Sequence, residues 1–84
     1  MQEVQKITVD IYGTKHVVRG EGAPEYIQGL AHEVDKKMRL LAQRLPRISV
    51  EQLAVLTALN LADELAKLRE EQETLLELIG EEKE

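Results

Sequence analysis

The sequence predicts an α+β chain: a small N-terminal head made of a β-hairpin and one helix, followed by a long C-terminal coiled-coil helix, assembled as a dimer or tetramer. Three observations carry this. Apolar and polar residues alternate with period two up to Ile11, just before a turn glycine. Ser49 opens a second helix soon after Pro46 closes the first. Apolar residues then recur at heptad spacing from Ala58 to Ile79. The boundaries that follow are 1–49 for the head, 50–80 for the coiled-coil helix and 81–84 for a frayed tail.

In the first segment Ile7, Val9 and Ile11 alternate with Lys6, Thr8 and Asp10, the pattern of a strand with one wet face. Tyr12-Gly13-Thr14-Lys15 reads as the turn, where Gly13 can adopt a positive φ without a Cβ clash. His16-Val17-Val18-Arg19 returns as the second strand. Two strands alone are unstable in water, so their apolar face needs a cover. Gly20 to Ala23 form a loop, and Pro24 suits the first position of a helix, where its missing N–H would have had no partner. Along the helix expected from Pro24 to Arg44, residues Ile27, Leu30, Ala31, Val34, Met38, Leu41, Ala42 and Leu45 recur every three or four positions, as one apolar stripe that can supply the cover. Pro46 stops the helix and pushes Leu45 out of the helical region.

The second helix has a strong start. Ser49 is a favoured N-cap, Gln52 stands where a capping box needs it, and Ile48 and Leu53 form a hydrophobic staple. The helix is expected from Val50 to about Ile79, with Gly80 as its stop. At 1.5 Å per residue it would be roughly 45 Å long, too long to lie over so small a head. Its first half is apolar on more than one face, with one stripe at Ala58, Leu61, Leu65 and Leu68 and another at Val55, Leu59, Ala62 and Ala66. One face can pack on the head while the other meets a second chain. The first stripe continues as Ala58, Leu61, Leu65, Leu68, Gln72, Leu75 and Ile79, the a/d seam of a coiled coil. Gln72 is a polar a position, which fixes register at a cost in stability. Leu76 and Leu78 fall at e and g, where a simple dimer carries charge, so a tetramer of two dimers joined through their tails is expected. The alternative reading is an intramolecular helical hairpin, but the first helix ends too soon to shield the last turns of the second.

Composition agrees with self-association. The chain has 84 residues, two tyrosines as its only aromatics, and no cysteine. A core of that size is marginal for a monomer, and neither disulfides nor thiolate metal sites can supplement it. The N-terminus lacks the basic-then-apolar pattern of a signal peptide, and no stretch approaches the ~20 apolar residues of a membrane span. A cytoplasmic protein with no membrane partner is expected. The net charge of −5 argues against a nucleic-acid partner. His16 and His32 lie in different elements without the spacing of a metal site. No phosphate loop or nucleophile–base arrangement is present, so neither an enzyme nor a cofactor is expected.

Several runs of residues resemble the ZapA family. Val9-Asp10-Ile11-Tyr12-Gly13 is similar to the family's opening strand and turn, and Leu30-Ala31 with Val34-Asp35 is similar to its first helix. The clearest match runs from Glu51 to Leu65 through Ala58-Leu59-Asn60 and Glu64-Leu65. The resemblance covers about residues 4–79. It implies dimers with intertwined heads, tetramers made through the coiled coil, and a place at the mid-cell division site. It also implies binding to polymers of the tubulin-like protein FtsZ, which the family bundles while promoting the division ring. The rival reading is a generic coiled-coil dimerisation adaptor for another cytoplasmic partner.

Because FtsZ is acidic, cations on the head would favour encounter. Lys6, Lys15, His16 and Arg19 all lie in the hairpin, and with Thr14 they are the candidate partner-binding residues. Some family members carry an arginine directly after the turn glycine, where this chain has Thr14. Lys15 beside it cannot reproduce the bidentate geometry of arginine. Asn60 and Glu64 are candidates for orienting head against rod: Asn60 by a hydrogen bond across the junction, Glu64 through a backbone group or a head cation.

Overall fold

The computed structural model describes residues 4–82. Strands β1 (Val4–Ile11) and β2 (Thr14–Glu21) form an antiparallel hairpin, helix α1 (Pro24–Arg44) crosses one face of it, and α2 (Val50–Glu82) runs back along α1 and beyond. This is the α+β architecture expected from the sequence. Of the expected tail, 81–82 continue α2, and 83–84 lie outside the described residues.

The hairpin is tighter than the sequence reading had it. Ile11 pairs with Thr14, so the loop is Tyr12-Gly13 alone, with φ of +50° and +77°. Positive φ at both loop residues is the pattern of a two-residue turn whose twist matches the strands. Thr14 and Lys15, expected in the turn, instead open β2. That strand also extends past Arg19, because Gly20 pairs with Gln5 and Glu21 with Val4. A Cβ at Gly20 would stand 2.7 Å from Ile27 Cδ1, the free end of a side chain that would have to turn aside.

Register places the core. Ile7 faces Val18 across the ladder, and paired residues share a face of the sheet. On that face Ile7 and Val9 are buried with Ile27 and Ala31 of α1, and Ile11 and Val18 pack at the margin. Gln28 Nε2 also donates to the Thr8 carbonyl at 3.0 Å. Leu45, the residue before Pro46, has φ −132° and ψ 68°, displaced from the helix as proline requires.

At the start of α2, the Gln52 amide donates to Ser49 Oγ at 3.1 Å, as the N-cap reading expects. Where α1 and α2 meet, the buried side chains are Met38, Leu53 and Thr57. Thr57 is the one that sequence patterning passed over. Its hydroxyl donates to the Leu53 carbonyl at 2.8 Å, so a polar residue lies on the apolar face with its hydrogen bond made. Gly80 does not stop the helix. It lacks the positive φ that a left-handed cap needs, and α2 passes through it to Glu82.

Leu53 is 1% exposed, the most completely buried large side chain described. Replacing it with Ala is expected to lower stability by about 2–5 kcal/mol, read from urea unfolding followed by circular dichroism.

Candidate functional site

Two surfaces stand out once the fold is in place. One is the tip of the hairpin with the middle of α1. The other is the length of α2 that no part of the same chain covers.

The tip is tied to α1 by a side chain 23 positions away. The Tyr12 amide donates to Asp35 Oδ1 at 2.7 Å. Arg39, one turn further along α1, donates from Nε to both oxygens of the same carboxylate, at 3.2 and 3.0 Å. Its guanidinium carbon also stands 5.5 Å from the centre of the Tyr12 ring, within cation–π range. Asp35 thus accepts from the turn and from its helical neighbour together. The Arg39 hydrogen bond, then the Tyr12 amide, hold the Asp35 carboxyl below its ordinary value of 3.8. The same pairing raises the Arg39 guanidinium. Asp35, Arg39 and Tyr12 were not among the sequence-derived site residues. The legible signal was the i,i+4 spacing of Asp35 and Arg39; that the turn would meet them was not legible.

The candidate partner-binding residues divide between the two faces of the hairpin. Lys6 pairs with Arg19 and Lys15 with Asp10, so these three cations share the face turned away from α1. Val17 lies among them, 68% exposed. Thr14 and His16 pair with Ile11 and Val9, which places them on the helix-facing side. All five are exposed.

The α2 candidates also divide. The inner face of α2 carries Leu53, Thr57, Asn60, Leu61 and Glu64; Asn60 and Leu61 are half-buried. Glu64 forms an ion pair with Lys37 of α1, so of the partners considered for it the head cation is the one present. Asn60 Oδ1 is buried without a hydrogen-bond partner among the described residues. Ala58 is exposed, as is every residue from Ala62 to Gly80. Leu65, Leu68, Leu75, Leu76, Leu78 and Ile79 stand 47–62% exposed, alongside Gln72. Val55 and Leu59 of the second stripe are equally open. On the outside, Lys67 and Asp63 pair at 3.0 Å, which raises the lysine.

The head leaves apolar surface open as well. A hollow between the hairpin and α1 is lined by Val9, Ile11, Val18, Ile27, Leu30, Ala31 and Val34, without a polar side chain. Among the described residues, no cluster of three or more histidines and carboxylates could hold a metal ion, and no helix is long and apolar enough to cross a membrane.

The family model described as cell division protein ZapA matches residues 7–83. A cell division protein ZapA of Geobacillus sp. is 38% identical over 82 residues, covering 98% of this chain and 94% of the relative. One from Halalkalibacterium halodurans is 46% identical over 69 residues, covering 82% and 76%. Among solved structures, a ZapA mutant dimer from Geobacillus stearothermophilus superposes with a TM-score of 0.74 at 37% identity, over 94% of this chain and 92% of that one.

The depressed Asp35 carboxyl makes a signed expectation. Its contribution to stability is complete above the unfolded-state value and is lost as pH falls through that value toward the folded one. Between about pH 5 and pH 3, the urea midpoint of the native protein should fall further than that of Asp35→Asn. Parallel curves for the two proteins would contradict the clasp.

Proposed function

The chain belongs to the cell division protein ZapA family, and from that premise we propose that it is a non-enzymatic cytoplasmic adaptor that binds FtsZ filaments, cross-links them and promotes assembly of the division ring at mid-cell. Residues 1–49 act as the filament-binding head and 50–80 as the rod. The observation that carries the reading is the exposed apolar seam from Leu65 to Ile79, on a helix that outruns everything its own chain could pack against it.

Self-association follows from the cost of leaving that surface in water. Each leucine or isoleucine of the seam, if buried fully, contributes about 1.5–3 kcal/mol. A mate of matching pattern is available in a second copy. Leu76 and Leu78 widen the apolar strip beyond what two helices need, which favours dimers that join into tetramers through their tails. The open hollow beside Leu30 gives the heads a further reason to pair. The solved relative is a dimer, in keeping with this.

Linked heads suit a filament. A single head can bind one subunit weakly, yet once one head of an oligomer is bound, its neighbour meets the next subunit at high local concentration. That raises avidity by roughly 10²–10⁴ without any new contact. Lys6, Lys15 and Arg19 on the open face of the hairpin offer positive charge to an acidic polymer. Thr14 and His16 flank the tip from the other side. Glu64 sets the angle between head and rod through its ion pair with Lys37, whereas the hydrogen bond expected of Asn60 across the junction is not made, its Oδ1 standing buried without a partner among the described residues.

Two outcomes test this. The protein should pellet with FtsZ polymerised in GTP and thicken the filaments into bundles; a protein that stays in the supernatant ends the partner assignment. Replacing Leu75 or Ile79 with Glu puts a charge into the seam at a cost of several kcal/mol. Sedimentation equilibrium should then show loss of the higher oligomer with the head still folded, and bundling should be lost with it.

A further inference from the structure

The turn of this hairpin is built in an unusual way. Tyr12 holds φ +50°, a left-handed conformation in which a Cβ crowds the backbone and which asparagine or glycine adopts more readily. Tyr12 is half-buried, while Gly13, Thr14 and Lys15 beside it are exposed. An Asn-Gly loop would close the same strands without strain. Instead the strain is offset from outside the hairpin: Asp35 takes the Tyr12 amide at 2.7 Å, and Arg39 braces Asp35 from below while lying over the Tyr12 ring. Asp35 is largely covered, with its side chain 19% exposed, whereas Arg39 is 57% exposed. The acceptor is therefore enclosed by the groups it holds.

We infer that Asp35 is a positioning residue for recognition: by clasping the Tyr12 amide to α1 it holds the tip, Gly13-Thr14-Lys15, in one shape for contact with an acidic protein surface. The inference rests on the filament-binding reading above and adds to it a residue that touches no partner. A loop that is already ordered loses little conformational freedom when it binds, so a small contact area retains more of its gross interaction. That matters most for a short tip whose lysine cannot make the bidentate contacts of an arginine. Arg39 extends the same surface, as a second cation held beside the turn by its bond to Asp35.

The test separates shape from contact. Asp35→Ala removes the clasp; Tyr12→Asn lets the turn adopt positive φ unaided. Binding to GTP-polymerised FtsZ is measured by co-sedimentation for each variant and for the pair combined. Sedimentation equilibrium and circular dichroism report assembly and folding. Asp35→Ala should bind about tenfold more weakly with its oligomeric state unchanged, Tyr12→Asn should bind like the native protein, and the double variant should regain most of the loss. Native binding by Asp35→Ala, or a double variant as weak as the single one, overturns the positioning role. So does loss of binding by Tyr12→Asn alone, which would make the ring itself the contact. Asp35→Asn covers the case in which Asp35→Ala does not fold. It keeps an oxygen for the Tyr12 amide and should stay within about twofold of native binding; a tenfold loss there, with the acceptor still present, overturns the positioning role. If the native protein does not pellet with the polymer, the filament reading fails and this one with it. If the native protein binds and the variants behave alike, only the clasp is refuted.

Discussion

The structure turns on a mismatch of length: α1 has 21 residues and α2 has 33. The two helices start from the same corner at Pro46 and run back along each other, so α1 can cover only the beginning of α2. An ion pair between Lys37 and Glu64 ties them. Everything beyond it has a seam with no cover, in a chain whose buried core is already small. A monomer would leave six large apolar side chains of that segment in water. The same mismatch explains why the chain has so few buried residues: the core is divided between the inside of the head and a surface that needs another subunit to be buried.

The head solves a different problem, that of holding a two-stranded sheet against a single helix. Burial does this at one end, where Ile7 and Val9 meet Ile27 and Ala31. Polar bonds add to this: Gln28 reaches the Thr8 carbonyl beside that core, and at the tip Asp35 reaches the Tyr12 amide. These bonds run from helix side chains to strand backbone, so they fix the position of the hairpin without depending on which side chains the strands present outward. The open face, with Lys6, Lys15, Val17 and Arg19, is thereby free of structural duty.

Much of this was legible in the sequence for identifiable reasons. Alternation gave the buried face of β1 because a period of two admits only two choices. Pro24, Pro46 and Ser49 gave the helix boundaries because each has a local chemical effect independent of context. The heptad seam was legible because its spacing persists over several turns. What failed was what depends on tertiary approach. Gly80 looked like a stop, yet a glycine stops a helix only when the chain turns left-handed there, and nothing after it compels that. The turn is two residues narrower than its sequence suggests because the Tyr12-Gly13 loop has an outside acceptor, and that acceptor is on α1. The grouping of Lys6, Lys15, His16 and Arg19 splits because alternation along β2 puts His16 opposite Lys15 and Arg19, while register, which no single strand reveals, brings Lys6 to their face. Thr57 was passed over because patterning scores it as polar, while its hydroxyl satisfies itself on its own helix.

The unbroken path of α2 from Val50 through Gly80 has a further consequence. With no proline inside it and no left-handed residue to swivel about, the helix transmits azimuth as well as distance. The direction in which a head points is locked to the direction in which its seam faces, at about 100° for each residue between them. Inserting a single residue past Glu64 would rotate the head by a quarter-turn or more relative to the seam, whereas inserting seven would restore its bearing to within about 20°. The spacing of this helix is thus quantised, so that its length can change by heptads with little loss of aim, but not by single residues.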